Sequence, residues 1–208
     1  MHIDSDLEIL EDWCDKWQMS VAPTKCEAIS FFHKKRLNNT NNQFSINDER
    51  LPTVEKIRDL GVILNSSLTF SDHFATTLRK AHQRINIFFN VLRRSKMDIF
   101  VKCFIIYIRP ILEYGTIVSS PVIKEQIKLL EGVQKSFLYR CCKKFNFPYV
   151  SYFDCLREYN LESLEYRRLI SDLVFMYKTL VSREVDIAHN LFISPHYHNC
   201  LRRHSYYI

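Results

Sequence analysis

The sequence predicts an α+β fold that is mostly helical, with a small antiparallel sheet near the N-terminus followed by a helical bundle. Two observations carry this reading. Apolar residues recur at spacings of three and four from residue 71 to about 182, whereas residues 26–70 hold only short extended segments. Three glycines in 208 residues disfavour a fold built on many tight turns and favour long helices. The chain is long enough to bury a sizeable core, and 47% apolar content with 13% aromatic residues is a globular composition.

Residues 4–19, "DSDLEILEDWCDKWQM", place Leu7, Leu10, Cys14 and Trp17 on one helical stripe, with Asp4, Asp6 and Glu8 in the first turn. Pro23 then breaks the pattern and sets Lys25 on a turn. Residues 26–32 and 43–46 read as strands, joined by the loop "KKRLNNTNN" and followed by a turn at Asn47-Asp48. "LPTVEKIRDLGVILNSSLTF" continues as short extended segments punctuated by Gly61.

From Ser71 the chain turns helical, with Ser71 and Asp72 as N-cap candidates. Phe74, Leu78, Ala81, Ile85, Phe88 and Leu92 form a sustained core stripe, and on another face Arg79, His82, Asn86 and Arg93 line up, with Lys80, Arg84 and Arg94 beside them. The next helix, from about Met97, is apolar nearly all round and predicts the buried centre of a bundle, ended or kinked by Pro110. A third, residues 122–142, turns Ile127, Leu130, Val133, Phe137 and Cys141 inward and Lys124, Lys128 and Lys135 outward. A shorter helix follows over residues 152–159. Ser163 caps a last long helix with Tyr166, Leu169, Leu173, Met176, Tyr177 and Leu180 on its apolar side, and a loose tail closes the chain. The expected division is 1–70, 71–182 and 183–208.

Composition and motif bound the function. The longest apolar run, residues 99–108, is interrupted by Lys102 and falls short of the roughly 20 residues a membrane span needs. The acidic N-terminus does not read as a signal peptide. Seven cysteines without a scaffold rhythm read as free thiols in a reducing compartment. His196, His198 and Cys200 lie close together, but no second ligand pair accompanies them, so a solvated tail is the expectation over zinc. No G-x-S-x-G, H-E-x-x-H or phosphate-cradling glycine loop occurs. No Asp-Asp pair occurs either, so no two-metal phosphoryl-transfer centre is visible.

Charge is the strongest physical signal. Residues 1–72 hold 8 Lys and Arg against 12 Asp and Glu, a balance of −4; residues 73–168 hold 17 against 8, a balance of +9. A basic face on an amphipathic helix can lie along a phosphate backbone and release its counterions. An ordinary charged solvent face is the plain alternative.

Several phrases in series resemble one family. "WCDKWQMSVAPTKCEAISFF", "KIRDLGVILNSSLTFSDHF", "TLRKAH", "YIRPILEYGTIVSSP", "LLEGVQKSFLYR" and "LESLEYRRLISDLVFMYK" occur in the order and spacing of LINE-type (non-LTR) retrotransposon reverse transcriptases, over roughly residues 4–181. The resemblance implies the C-terminal remnant of a palm followed by a thumb. It places the family's metal-binding aspartates ahead of Met1 and implies no cofactor in this chain, the parent enzymes using Mg²⁺. Lys25 matches a turn lysine that can act as general acid toward the leaving pyrophosphate in an intact enzyme. Arg79, Lys80, His82, Arg84, Arg93 and Arg94 fall on the first thumb helix, which would face an RNA–DNA hybrid or duplex, and Lys96 joins them as a nucleic-acid-binding candidate. Two positions depart from the family: Ala22 stands where Asn is usual, and Ser119 stands where Trp is usual, implying a loosened contact near the kinked helix. A nuclear or cytoplasmic location is implied by the resemblance alone. Two other readings stay open at this point, a domesticated stand-alone nucleic-acid-binding protein and a relic of a truncated element without activity.

Overall fold

A computed structural model describes residues 3–31, 44–121, 123–182 and 184. It is mostly helical with short antiparallel strands, the α+β class expected from the sequence. Two compact units divide between Thr76 and Thr77, inside a helix and a few residues beyond the boundary expected at residue 70.

In the first unit, helix α1 (Ile3–Lys16) buries Cys14, but Leu10 and Trp17 of its expected apolar stripe are exposed. The helix packs against strand β1 (Ser45–Ile46), and the Glu11 carboxylate accepts the Asn47 N–H at 2.7 Å. Strand β1 pairs with β2 (Glu49–Arg50), and β3 (Lys56–Asp59) pairs with β4 (Val62–Asn65), giving two separate hairpins where one small sheet was expected. Each turn has two residues, both at positive φ: Asn47 and Asp48 at 52° and 61°, Leu60 and Gly61 at 44° and 91°. This is the type I′ geometry whose twist matches a hairpin.

The strand expected over residues 26–32 does not form within the described residues 26–31. Ala28 makes one parallel bridge to Thr53, through its N–H to the Pro52 carbonyl and the Val54 N–H to its own carbonyl. Pro52 has no N–H to offer, so the ladder stops there. The "KKRLNNTNN" loop and the His196, His198 and Cys200 group lie outside the described residues.

Helix α2 (Ser71–Val91) starts after Phe70, whose φ is 54°. Asp72 sits in its first turn, and its carboxylate pairs with Lys56 Nζ at 2.7 Å, which holds the lysine charge firmly and raises its pKa through that hydrogen bond. His73 is buried, and its Nδ1 accepts the Ile63 N–H at 3.4 Å.

In the second unit the α2 stripe behaves as expected, with Ala81 and Ile85 buried and Leu78, Phe88 and Leu92 half-buried. Helix α3 (Met97–Cys103) runs into a single wide turn, Phe104–Ile108, and then α4 (Arg109–Glu113). Pro110 was expected to end or kink this helix. Lacking an N–H for the Ile106 carbonyl, it instead widens the preceding turn, in which the Arg109 N–H reaches back five residues to the Phe104 carbonyl. The helix is apolar all round yet buried on one face only: Phe100, Phe104 and Ile108 are enclosed, while Ile99, Ile106 and Tyr107 are exposed.

Helix α5 (Lys124–Phe145) is the central element, with Leu130, Val133, Phe137, Leu138, Cys141 and Cys142 buried. It ends at Asn146 in the left-handed region, where Asn146 and Phe147 both donate to the Cys142 carbonyl. Helix α6 (Tyr152–Glu158) is capped by Ser151, and α7 (Leu164–Leu180) by Ser163 as expected.

The packed face of α7 is a correction. Tyr166, Leu169, Leu173 and Tyr177 are exposed; of the expected apolar side only Leu180 is buried. The buried face carries Leu164, Arg168 and Thr179 instead, and the helix packs against α5. What seats that face is polar: Glu131 of α5 accepts the Leu164 and Glu165 N–H groups at 3.2 and 3.1 Å and the Tyr152 hydroxyl. A negative charge on the exposed amides of a helix N-terminus is favourable.

Leu60, exposed at the hairpin tip, holds a conformation that costs an L-residue about 1 kcal/mol and that Asn adopts readily. Leu60→Asn should raise the denaturation midpoint by an amount equivalent to about 1 kcal/mol, measured by urea titration of the two proteins.

Candidate nucleic-acid interface

No Asp or Glu occurs between Asp72 and Asp98, and none between Glu131 and Asp154. The fold brings parts of these two acid-free segments together. The Arg140 guanidinium of α5 donates to Asn86 Oδ1 of α2 at 2.8 Å and lies over the Phe89 ring, 4.2 Å from its centroid. Lys144 Nζ donates to the Arg93 carbonyl at 3.1 Å, joining the end of α5 to the turn after α2. Beneath these cations, Phe89 packs edge-on to Phe100 and Phe137, and Phe104 stacks on Phe137 at 4.7 Å.

Arg79, Lys80, His82, Arg84, Arg93, Arg94 and Lys96 are all exposed. They do not form one stripe. At about 100° per residue, Arg79, His82 and Asn86 follow the edge of α2 that meets α5, while Lys80 and Arg84 lie on the opposite flank. Helix α2 ends at Val91, so Arg93, Arg94 and Lys96 sit on the connecting turn, where Arg93 Nε donates to the Asn90 carbonyl at 3.2 Å. Among the described residues, none of these cations forms an ion pair with a carboxylate, nor does Arg140, Lys143 or Lys144. The positive charge is therefore available to an outside polyanion.

Arg140, Lys143 and Lys144 belong to this surface and were not singled out from the sequence. The absence of acids from residues 132–153 is the signal that marks them. Lys124, Lys128 and Lys135 are exposed, as expected, on the rest of α5.

Lys25 ends a short 3₁₀ turn, Pro23–Lys25, and is exposed; it belongs to the first unit, and the residues of the basic surface belong to the second. Among the described residues no cluster of three His, Cys, Asp or Glu side chains could hold a metal ion.

Other motif residues turn out to be structural. Glu113 holds Arg167 through both carboxylate oxygens, at 2.5 and 3.2 Å, and Arg167 also reaches Glu162 at 2.9 Å. Gln134, fully buried, donates to the Glu162 carbonyl and the Tyr152 hydroxyl. Ser119 is buried, not loosened: its N–H and hydroxyl both donate to the Gly115 carbonyl, at 2.9 and 3.0 Å.

No family model and no solved structure matches the chain. It is similar to an uncharacterized protein of Caenorhabditis elegans, 27% identical over 129 residues, which is 62% of this chain and 65% of that protein. The chain thus spans less than two thirds of the length of that relative.

The contacts separate two kinds of cation. Arg140→Ala removes a stacked guanidinium and a side-chain hydrogen bond and should cost about 1–2 kcal/mol of stability. Arg79→Ala removes a side chain in water and should stay within about 0.5 kcal/mol. Parallel urea denaturation curves check both.

Proposed function

We propose that this chain is the thumb-like, nucleic-acid-binding part of a non-LTR retrotransposon reverse transcriptase, with a palm remnant ahead of it. Its role is to hold the phosphate backbone of an RNA–DNA hybrid or duplex, without reading sequence, on the surface made by α2, the following turn and the end of α5. The observation that carries the proposal is the meeting of two acid-free segments, joined by the bonds from Arg140 to Asn86 and from Lys144 to Arg93, with their cations unpaired among the described residues. The order of the family-like phrases along the chain supports the same reading independently. Stepwise polymerisation requires carboxylates holding two metal ions, so the function proposed for these residues is binding alone.

Binding through phosphates is recognised by its salt dependence. With about six phosphate contacts, affinity for a fluorescent RNA–DNA hybrid should fall roughly 10³-fold between 50 and 200 mM salt. Arg79→Ala combined with Arg94→Ala should weaken binding equally for unrelated sequences and flatten the salt slope by about 1 per residue removed. Fluorescence anisotropy across a salt series measures both. Affinity that ignores salt, or a double variant that binds as the parent does, would contradict the proposal.

A further inference from the structure

Two cysteines that nucleic-acid binding does not use meet where α6 packs on α5. Cys142 lies near the end of α5 and Cys155 in the middle of α6; both are buried, and their Sγ atoms are 3.9 Å apart. The connection between them is set by the left-handed Asn146 and by the Ser151 cap, so the backbone fixes where the two sulfurs sit. Both side chains line a cavity of about 500 Å³, whose other walls include Met97, Asp98, Pro148 and Tyr159. That volume admits a small neutral oxidant, since a single water occupies roughly 30 Å³ of liquid.

We propose that Cys142 and Cys155 form a latent disulfide, closed by a peroxide or another small two-electron oxidant entering this cavity. Bond formation brings the sulfurs from 3.9 Å to about 2.0 Å, a movement of roughly 1 Å each. With hydrogen peroxide the balance is simple. The Cys155 sulfur attacks one peroxide oxygen, the O–O bond breaks, and the departing hydroxide leaves as water with the thiol proton. The Cys142 sulfur then displaces the remaining oxygen from Cys155, the S–O bond breaks, and a second water leaves with the second thiol proton. The two thiols are oxidised by two electrons, and the peroxide is reduced by two.

The geometry selects this pair over its neighbours. Cys141 does not line the cavity; it is fully buried, and burial pushes its thiol up to about 12. No third side chain completes a metal site with the pair among the described residues. Burial, with the Cys142 contact adding to it, pushes the Cys155 thiol up to about 11.

The test uses the full chain, oxidised with hydrogen peroxide in native buffer, alkylated, and digested with trypsin. The expected product is a covalent link between the peptide of residues 141–143 and that of residues 145–157, present in Cys141→Ala and absent in both Cys142→Ala and Cys155→Ala. The oxidised parent should also melt about 5 °C higher, because the link shortens the open loop of the unfolded chain. The proposal is overturned if both cysteines of the oxidised parent are recovered alkylated after denaturation, if the link persists in Cys142→Ala, or if oxidation lowers the melting temperature. If a variant fails to fold, fragment-ion spectra of the linked parent peptides, which tell Cys141 from Cys142, decide the matter.

Discussion

The basic surface depends on a cluster of phenylalanines that holds α2 against α3 and α5. Phe89, Phe100, Phe104 and Phe137 come from α2, α3, the wide turn and α5, and three of them are fully buried. Each such side chain removes a large apolar area from water, on the order of 2–3 kcal/mol when fully enclosed, and the edge-on pairs add to this. The same rings carry the cations: Arg140 lies over Phe89, and Lys144 lies near Phe100 and Phe145. Core and surface are thus one arrangement. Loss of the cluster would scatter the charges that the outer face presents together.

A second set of constraints is polar and aims the later helices. The Glu131 carboxylate takes two amides from the start of α7 and the Tyr152 hydroxyl, while Gln134 ties the chain just before Ser163 to α6. Tyr152 is kept neutral well above the usual tyrosine range, first by burial and then by its bond to Glu131. These ties account for why α7 presents Arg168 and Thr179 to the protein and leaves Tyr166, Leu169, Leu173 and Tyr177 in water. A helix seated by its N-terminal amides takes its rotation from them, and its apolar stripe goes where that rotation leaves it. Exposed apolar rows of this kind, on α1 as well as α7, make self-association at high concentration an expected property of the isolated chain.

Much of this was legible in the residues. The period of three and four from Phe74 to Leu92 located α2 and its buried face, and Ser163 located the start of α7, because local spacing and capping chemistry decide both. The turn at Asn47-Asp48 followed from side chains that tolerate positive φ. Other features were decided at a distance. Residues 26–31 have strand-like composition, but their neighbour is Pro52, which cannot continue a ladder. Pro110 signals a break, yet the enclosed Phe104 and Ile108 keep the helix together and the defect is absorbed as a wide turn. For the surface, the basic residues of α2 were legible as exposed positions, but their division between two flanks and the following turn was not, and Arg140, Lys143 and Lys144 join them only through packing. Glu131 and Gln134 read as ordinary polar positions until their partners, 18 to 34 residues away, are placed.

Amide hydrogen exchange, followed with and without a saturating RNA–DNA hybrid, tests most directly the claim that this composite surface is where nucleic acid lies. The account predicts slowed exchange in the turn at residues 92–96 and at the ends of α2 and α5 that flank it, with no change in β1 to β4. Protection confined to α1 or to the exposed row of α7, with the turn unchanged, would contradict it.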